Sequence, residues 1–191
     1  MTFNQLIFAG VDVSAGKKPV TFAALDRELN VLALERWSVS ETFSCLTEYE
    51  KIILAINGIG QNAASLDFKE QLDHEGLKPF SKQSDTRRFV ETSAQDSFHA
   101  LVEQDLLPRR TIEGRVQRSL ILYEEGFQIP DPMDFFEEIT RHKLLQGILP
   151  LENLYSTKEL NALISAYISW MALNRPSHIN LQGNFILPTR E

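Results

Sequence analysis

The chain has a single cysteine, Cys45, in 191 residues, so an internal disulfide is excluded. It has no apolar run of about 20 residues, the length a membrane-spanning helix needs. Its opening, Met1-Thr2-Phe3-Asn4-Gln5, lacks the basic residues that precede the apolar stretch of a secretory signal. These absences predict a reducing, cytoplasmic setting and no membrane partner. Positive charge is also scarce. Lys and Arg number 19 against 26 Asp and Glu, for a net charge of −7, which excludes indiscriminate binding to nucleic acid. A local basic groove is not excluded, because Arg109, Arg110, Arg115 and Arg118 stand near one another with Glu113 as the only acid among them. His74, His99, His142 and His178 are scattered and lack metal-ligand spacing. Walker-type and dinucleotide fingerprints are missing, as are internal repeats and linkers. Hydrophobic content of 43% suits one globular domain over residues 1–191.

What is present is concentrated at the start. Leu6-Ile7-Phe8-Ala9-Gly10-Val11-Asp12-Val13 is an apolar run holding one carboxylate. Ser14-Ala15-Gly16 then reads as a tight turn, and Val20-Thr21-Phe22-Ala23-Ala24-Leu25 as a second strand. A carboxylate inside a central strand must pair, bind a metal or accept hydrogen bonds. Asp12 can meet that need by ordering the turn or by serving a site. Gly10 shares its face by strand alternation and leaves room for a ligand or another backbone.

Val31–Trp37 completes a three-strand antiparallel meander. Ser40 is expected to cap a helix carrying Phe43, Leu46 and Tyr49. Lys51–Gly58 holds a continuous apolar run that ends in a polar residue and Gly, and it suits a strand buried on both faces beside a parallel neighbour. Residues 65–75 read as a helix stopped by Gly76, and Arg87–Ser93 as a short strand. Helical patterns follow at 95–104, 110–125 and 131–145. Ser156 begins a long helix through Trp170, and Phe185–Leu187 is a late strand. The order predicts a mixed α/β sheet flanked by helices.

Function in such sheets gathers at the ends of central strands. Asp12, Asn57 and Glu91 stand there. On the late helix, Asn161, Ser165 and Ser169 recur every fourth residue and form a small polar stripe, which suits close packing on the sheet as well as chemistry. The opposite flank of Leu160, Leu163, Ile164, Tyr167 and Met171 reads as core.

These segments, in order, resemble the domain of unknown function 429 family, a bacterial and archaeal group with an expected ribonuclease H-like fold. Gly10-Val11-Asp12-Val13-Ser14-Ala15-Gly16-Lys17 is similar to its opening strand and turn. Ile53–Ile59 stands where the family has a strand ending in Asp-x-Pro, and Arg88–Thr92 where it has a Glu-bearing strand. Gly114–Arg118 with Leu122 resembles its basic helix, Glu159–Ala166 its late helix centred on Asp-Ala, and Gly183–Pro188 its closing segment. The resemblance implies phosphodiester hydrolysis with two divalent metals, Mg²⁺ or Mn²⁺, held by Asp12 and Glu91. Asn57 and Asn161 would complete the catalytic set, while Ser14, Lys17, Arg115 and Arg118 would hold substrate phosphates.

The sequence departs from the family at two acidic positions. Asn57 and Asn161 keep the outline of Asp but remove two negative charges, and two dications need that charge to lie close together. Ile59 also replaces the family's Pro. The expectation is a degenerate relative of metal-dependent nucleases, with weak metal binding and little or no activity, that keeps a groove for a ligand, nucleic acid or a protein partner. An active two-metal nuclease and a phosphate or nucleotide binder remain the alternatives. Asp67 and Asp96 are further carboxylates that an altered alignment would bring in.

Overall fold

A computed structural model describes residues 5–14, 19–58, 63–80, 86–102, 104–138, 144–147, 151 and 154–189. Strands β1 (Ile7–Asp12), β2 (Val20–Leu25) and β3 (Val31–Trp37) form the antiparallel meander. Helix α1 (Val39–Glu48) leads to β4 (Ile52–Asn57), then α2 (Ala63–His74), the two-residue β5 (Lys78–Pro79) and β6 (Arg87–Thr92). Helices α3 (Ala94–Leu101), α4 (Ile112–Glu124), α5 (Asp134–Glu138), α6 (Leu144–Gln146) and α7 (Thr157–Asn174) follow. A hairpin of β7 (Ile179–Gln182) and β8 (Phe185–Pro188) ends the fold.

One eight-stranded sheet results, ordered β3-β2-β1-β4-β6-β8-β7, with β5 beside the start of β6. β1, β4, β6 and β8 are parallel neighbours in turn. The antiparallel meander joined to parallel strands and flanked by helices is an α/β fold consistent with a ribonuclease H-like arrangement. β1, β2 and β4 are buried at every residue, because helices cover both faces of the sheet. On one face lie Phe43 and Leu46 of α1 and Phe68 and Leu72 of α2. On the other, α7 lies across the sheet with α3 and α4 beside it.

α7 is buried nearly all round, as a helix pressed between a sheet and other helices must be. Its approach to β1 depends on Gly10. A Cβ there would stand 2.1 Å from the Ala162 carbonyl oxygen and 2.3 Å from the Ala166 nitrogen. The room beside Asp12 is therefore filled by helix backbone, and Ser165 and Ser169, both fully buried, are packing residues in that contact.

Several boundaries differ from the sequence expectation. α1 is capped by Ser38, with Ser40 inside the helix. Ser38 Oγ accepts from the Glu41 N–H at 3.2 Å and the Ser38 N–H donates to Glu41 Oε2 at 2.8 Å. That reciprocal box needs the acid three residues after the cap, a spacing that Ser38 has and Ser40 lacks. α7 runs on to Asn174, just before Pro176. β7 had no sequence expectation, since three of its four residues are exposed. Gly76 does close α2: at φ +74 it lets the Leu77 N–H reach the Leu72 carbonyl at 3.0 Å.

Candidate functional site

The sheet's register sets a polar row across the carboxyl ends of β1 and β4. Arg36, Thr21, Asp12, Asn57 and Thr92 are register neighbours in turn. Register neighbours share a face, and this row faces α7. Above it lies the start of α7, where Ser156 and Glu159 form a capping box. Arg36 reaches up to it, donating to Ser156 Oγ at 2.9 Å and Glu159 Oε1 at 3.2 Å.

Asp12 is the centre, 1% exposed. Its Oδ1 accepts from Asn57 Nδ2 at 3.0 Å and from the Ser14 N–H at 3.0 Å, and its Oδ2 accepts from Asn161 Nδ2 at 3.1 Å. The Asn57 amide has a fixed direction. Its Oδ1 accepts from the Ala94 N–H at the start of α3, at 2.9 Å, so its NH₂ must face Asp12. A carboxylate that only accepts is thus met by three donors. The same network joins β1, β4, α3 and α7. Beside this network, Thr92 Oγ1 lies 3.1 Å from Ser97 Oγ and donates to the Ile186 carbonyl at 2.9 Å.

Glu91 does not join this group, which corrects the expectation of a metal site shared with Asp12. It pairs in register with Ile56 and Phe185, one residue out of phase with the Asp12-Asn57-Thr92 row. Alternation turns it to the α2 face, where its Oε1 takes a 2.6 Å ion pair from Lys69 Nζ.

Arg115 and Arg118 correct a second expectation. Arg115 donates through Nε to the Tyr155 carbonyl at 2.7 Å and through Nη2 to the Leu154 carbonyl, so it holds the segment that leads into α7. Arg118 is 2% exposed. It donates to the carbonyls of Gly114 at 2.8 Å and Leu107 at 3.0 Å and to Gln95 Oε1 at 3.1 Å, with Phe98 beneath its guanidinium. Burial lowers the pKa of both groups. Arg115 spends Nε and Nη2 on backbone carbonyls, and Arg118 spends its two Nη groups on two carbonyls and the Gln95 amide oxygen, so both arginines hold segments of this chain together. Lys17 lies outside the described residues, and Ser14 contributes its backbone N–H to Asp12. Asp67 and Asp96 are exposed.

Mg²⁺ or Mn²⁺ can be tested against this geometry. A hard dication wants about six oxygen ligands in an octahedral shell. Asp12 is surrounded by N–H groups, which repel a cation, and the Asn57 oxygen is taken by Ala94. Thr21 Oγ1, fully buried beside Asp12 and without a hydrogen-bond partner among the described residues, is a single neutral oxygen. Among the described residues no three His, Cys, Asp or Glu side chains converge. The groups present do not fit a two-metal centre.

Sequence reasoning missed Thr21, Arg36, Thr92 and Lys69. Strand register brings the first three to the row, and register is not written in the sequence of a single strand. Among the described residues, no helix is long and apolar enough to cross a membrane. No family model matches the chain, and no curated protein sequence matches it.

Proposed function

We propose that this chain is a non-hydrolytic, ribonuclease H-like binding domain in which the catalytic end of the sheet has become a structural node. One observation carries the reading: both oxygens of Asp12 are closed by asparagine amides whose acidic counterparts would have held metal. The replacements keep shape and reverse hydrogen-bond polarity. An acceptor that would face a cation becomes a donor that faces a carboxylate. Charge points the same way. The open cavity of about 500 Å³ beside the start of α7 is lined by Asp131, Asp134 and Glu159 over Leu34, Phe135 and Tyr155, a poor surface for a polyanion. The reading therefore favours a protein partner over nucleic acid.

The test is Mg²⁺ and Mn²⁺ titration by calorimetry, with nuclease assays on DNA and RNA, for the wild type and for Asn57→Asp with Asn161→Asp. The wild type is expected to bind either metal weakly and to cleave neither polymer. The double substitution removes two donors and adds two charges, so metal affinity is expected to rise at least about tenfold, equivalent to 1.4 kcal/mol. Metal-dependent cleavage by the wild type, abolished by Asp12→Ala, would overturn the reading in favour of an active nuclease.

A further inference from the structure

Asn57-Gly58 is the only Asn-Gly step in the chain. In an unfolded chain such a step is chemically labile. The glycine backbone nitrogen attacks the asparagine Cγ, the bond from Cγ to Nδ2 breaks, and ammonia leaves carrying the glycine nitrogen's proton. Water then opens the cyclic imide at one of its two carbonyls, giving aspartate or isoaspartate. Water is the only co-reactant and nothing is oxidised or reduced. Asparagine is a thermolabile residue, and a following glycine exposes its nitrogen because it has no Cβ.

The fold opposes each part of this reaction. The leaving group, Nδ2, is held by Asp12 at 3.0 Å, and Oδ1 is held by the Ala94 N–H at 2.9 Å. The amide is clamped at both ends, and Cγ cannot turn towards the Gly58 nitrogen. The Asn57 backbone is extended between Asp12 and Thr92, and its carbonyl accepts from the Val13 N–H at 3.1 Å. Gly58 is buried against Ser14, whose backbone lies 2.9 Å from where a Cβ would stand. Asn57 is 6% exposed, so hydrolytic water is kept out.

We propose that Asn57-Gly58 is a latent deamidation site and that the clamp formed by Asp12 and the Ala94 N–H keeps it shut. The proposal does not depend on whether the domain hydrolyses anything. Its consequence falls on the same node. An aspartate at this position would set a second carboxylate in register with Asp12, while an isoaspartate would lengthen the backbone of a central strand and break its pairing with β1 and β6.

The experiment incubates purified protein at mildly alkaline pH and body temperature, both native and in concentrated urea. The tryptic peptide spanning residues 52–69 is followed by mass spectrometry for exchange of NH₂ by OH. Native wild type is expected to react at least about 100-fold more slowly than wild type in urea, because reaction requires local opening. Asp12→Ala frees Nδ2 and is expected to raise the native rate at least about tenfold, the population change that one lost hydrogen bond to a charged group gives. Ala94→Pro removes the N–H that holds Oδ1 at a position, the first of α3, where proline suits the helix. It is expected to accelerate the reaction likewise, and it provides the test should Asp12→Ala fail to fold. Asp12→Asn keeps an acceptor for Nδ2 and should stay slow. So should Tyr167→Phe, which loosens α7 far from the clamp. Native wild type reacting at the urea rate would overturn the proposal. So would folded clamp variants as slow as wild type, or Tyr167→Phe as fast as they are.

Discussion

Asp12 and Glu91 are both acids at strand ends, and the structure gives them different work. Asp12 is enclosed and accepts from two amides and a backbone N–H. Replacing it by Ala strands three donors, each worth about 1–3 kcal/mol when buried without a partner. We expect Asp12→Ala to lower unfolding free energy by about 3–5 kcal/mol in urea titration. Glu91→Gln breaks an ion pair whose lysine is 42% exposed, and should cost about 1 kcal/mol or less by the same measurement. An equal loss for the two would contradict the separation of faces described above. That separation also marks where sequence reading stops. Asp12, Asn57 and Asn161 could be grouped from the sequence because a resemblance placed them. Glu91 was grouped with them wrongly, because a strand's alternation is visible in its sequence but its register with a neighbour is not, and an offset of one residue changes the face.

At the scale of elements, the contact of α7 with β1 organises the fold, and Gly10 permits it. Gly10→Ala inserts a methyl group into helix backbone on both sides, so the whole helix must lift. We expect a loss of about 3 kcal/mol or more, with a lowered urea midpoint and weakened amide protection in both α7 and β1. A loss confined to β1 would mean that the helix yields freely. The strong elements were legible: β1 and β4 as apolar runs, α7 as a capped periodic stretch. β7 was not, since its exposed residues carry no apolar alternation and it is a strand because β8 pairs with it. The arginines of α4 differ from the sequence expectation for a related reason. Their spacing shows a helix face, but apart from Gly114, four residues before Arg118, the carbonyls they serve come from Leu107, Leu154 and Tyr155, which no local pattern announces.

For the whole molecule, burial pushes the phenols of Tyr49, Tyr155 and Tyr167 upward, Tyr49 to about 12. At Tyr167 the Glu125 carboxylate adds to the rise. Below about pH 10 a phenol is protonated in both folded and unfolded chains and adds no pH dependence. Above it the unfolded chain ionises first and the folded chain retains its protons, so stability falls as pH rises. We expect urea midpoints to drop steadily from about pH 10 to about pH 12, and Tyr167→Phe to make that decline shallower while lowering the neutral-pH value. A flat alkaline profile would contradict the burial of these rings. The joining of Asp12 to Asn161 has a consequence during synthesis. The two residues are separated by 149 positions, which a ribosome working at about 5–20 residues per second covers in roughly 7–30 s. Until α7 leaves the exit tunnel, Phe8, Ala23, Ile53 and Val90 lack the long helix that lies across their face, and only α3 and α4 are there before it. The face of the sheet that α7 covers is therefore completed only near the end of synthesis, long after its central strands have been made.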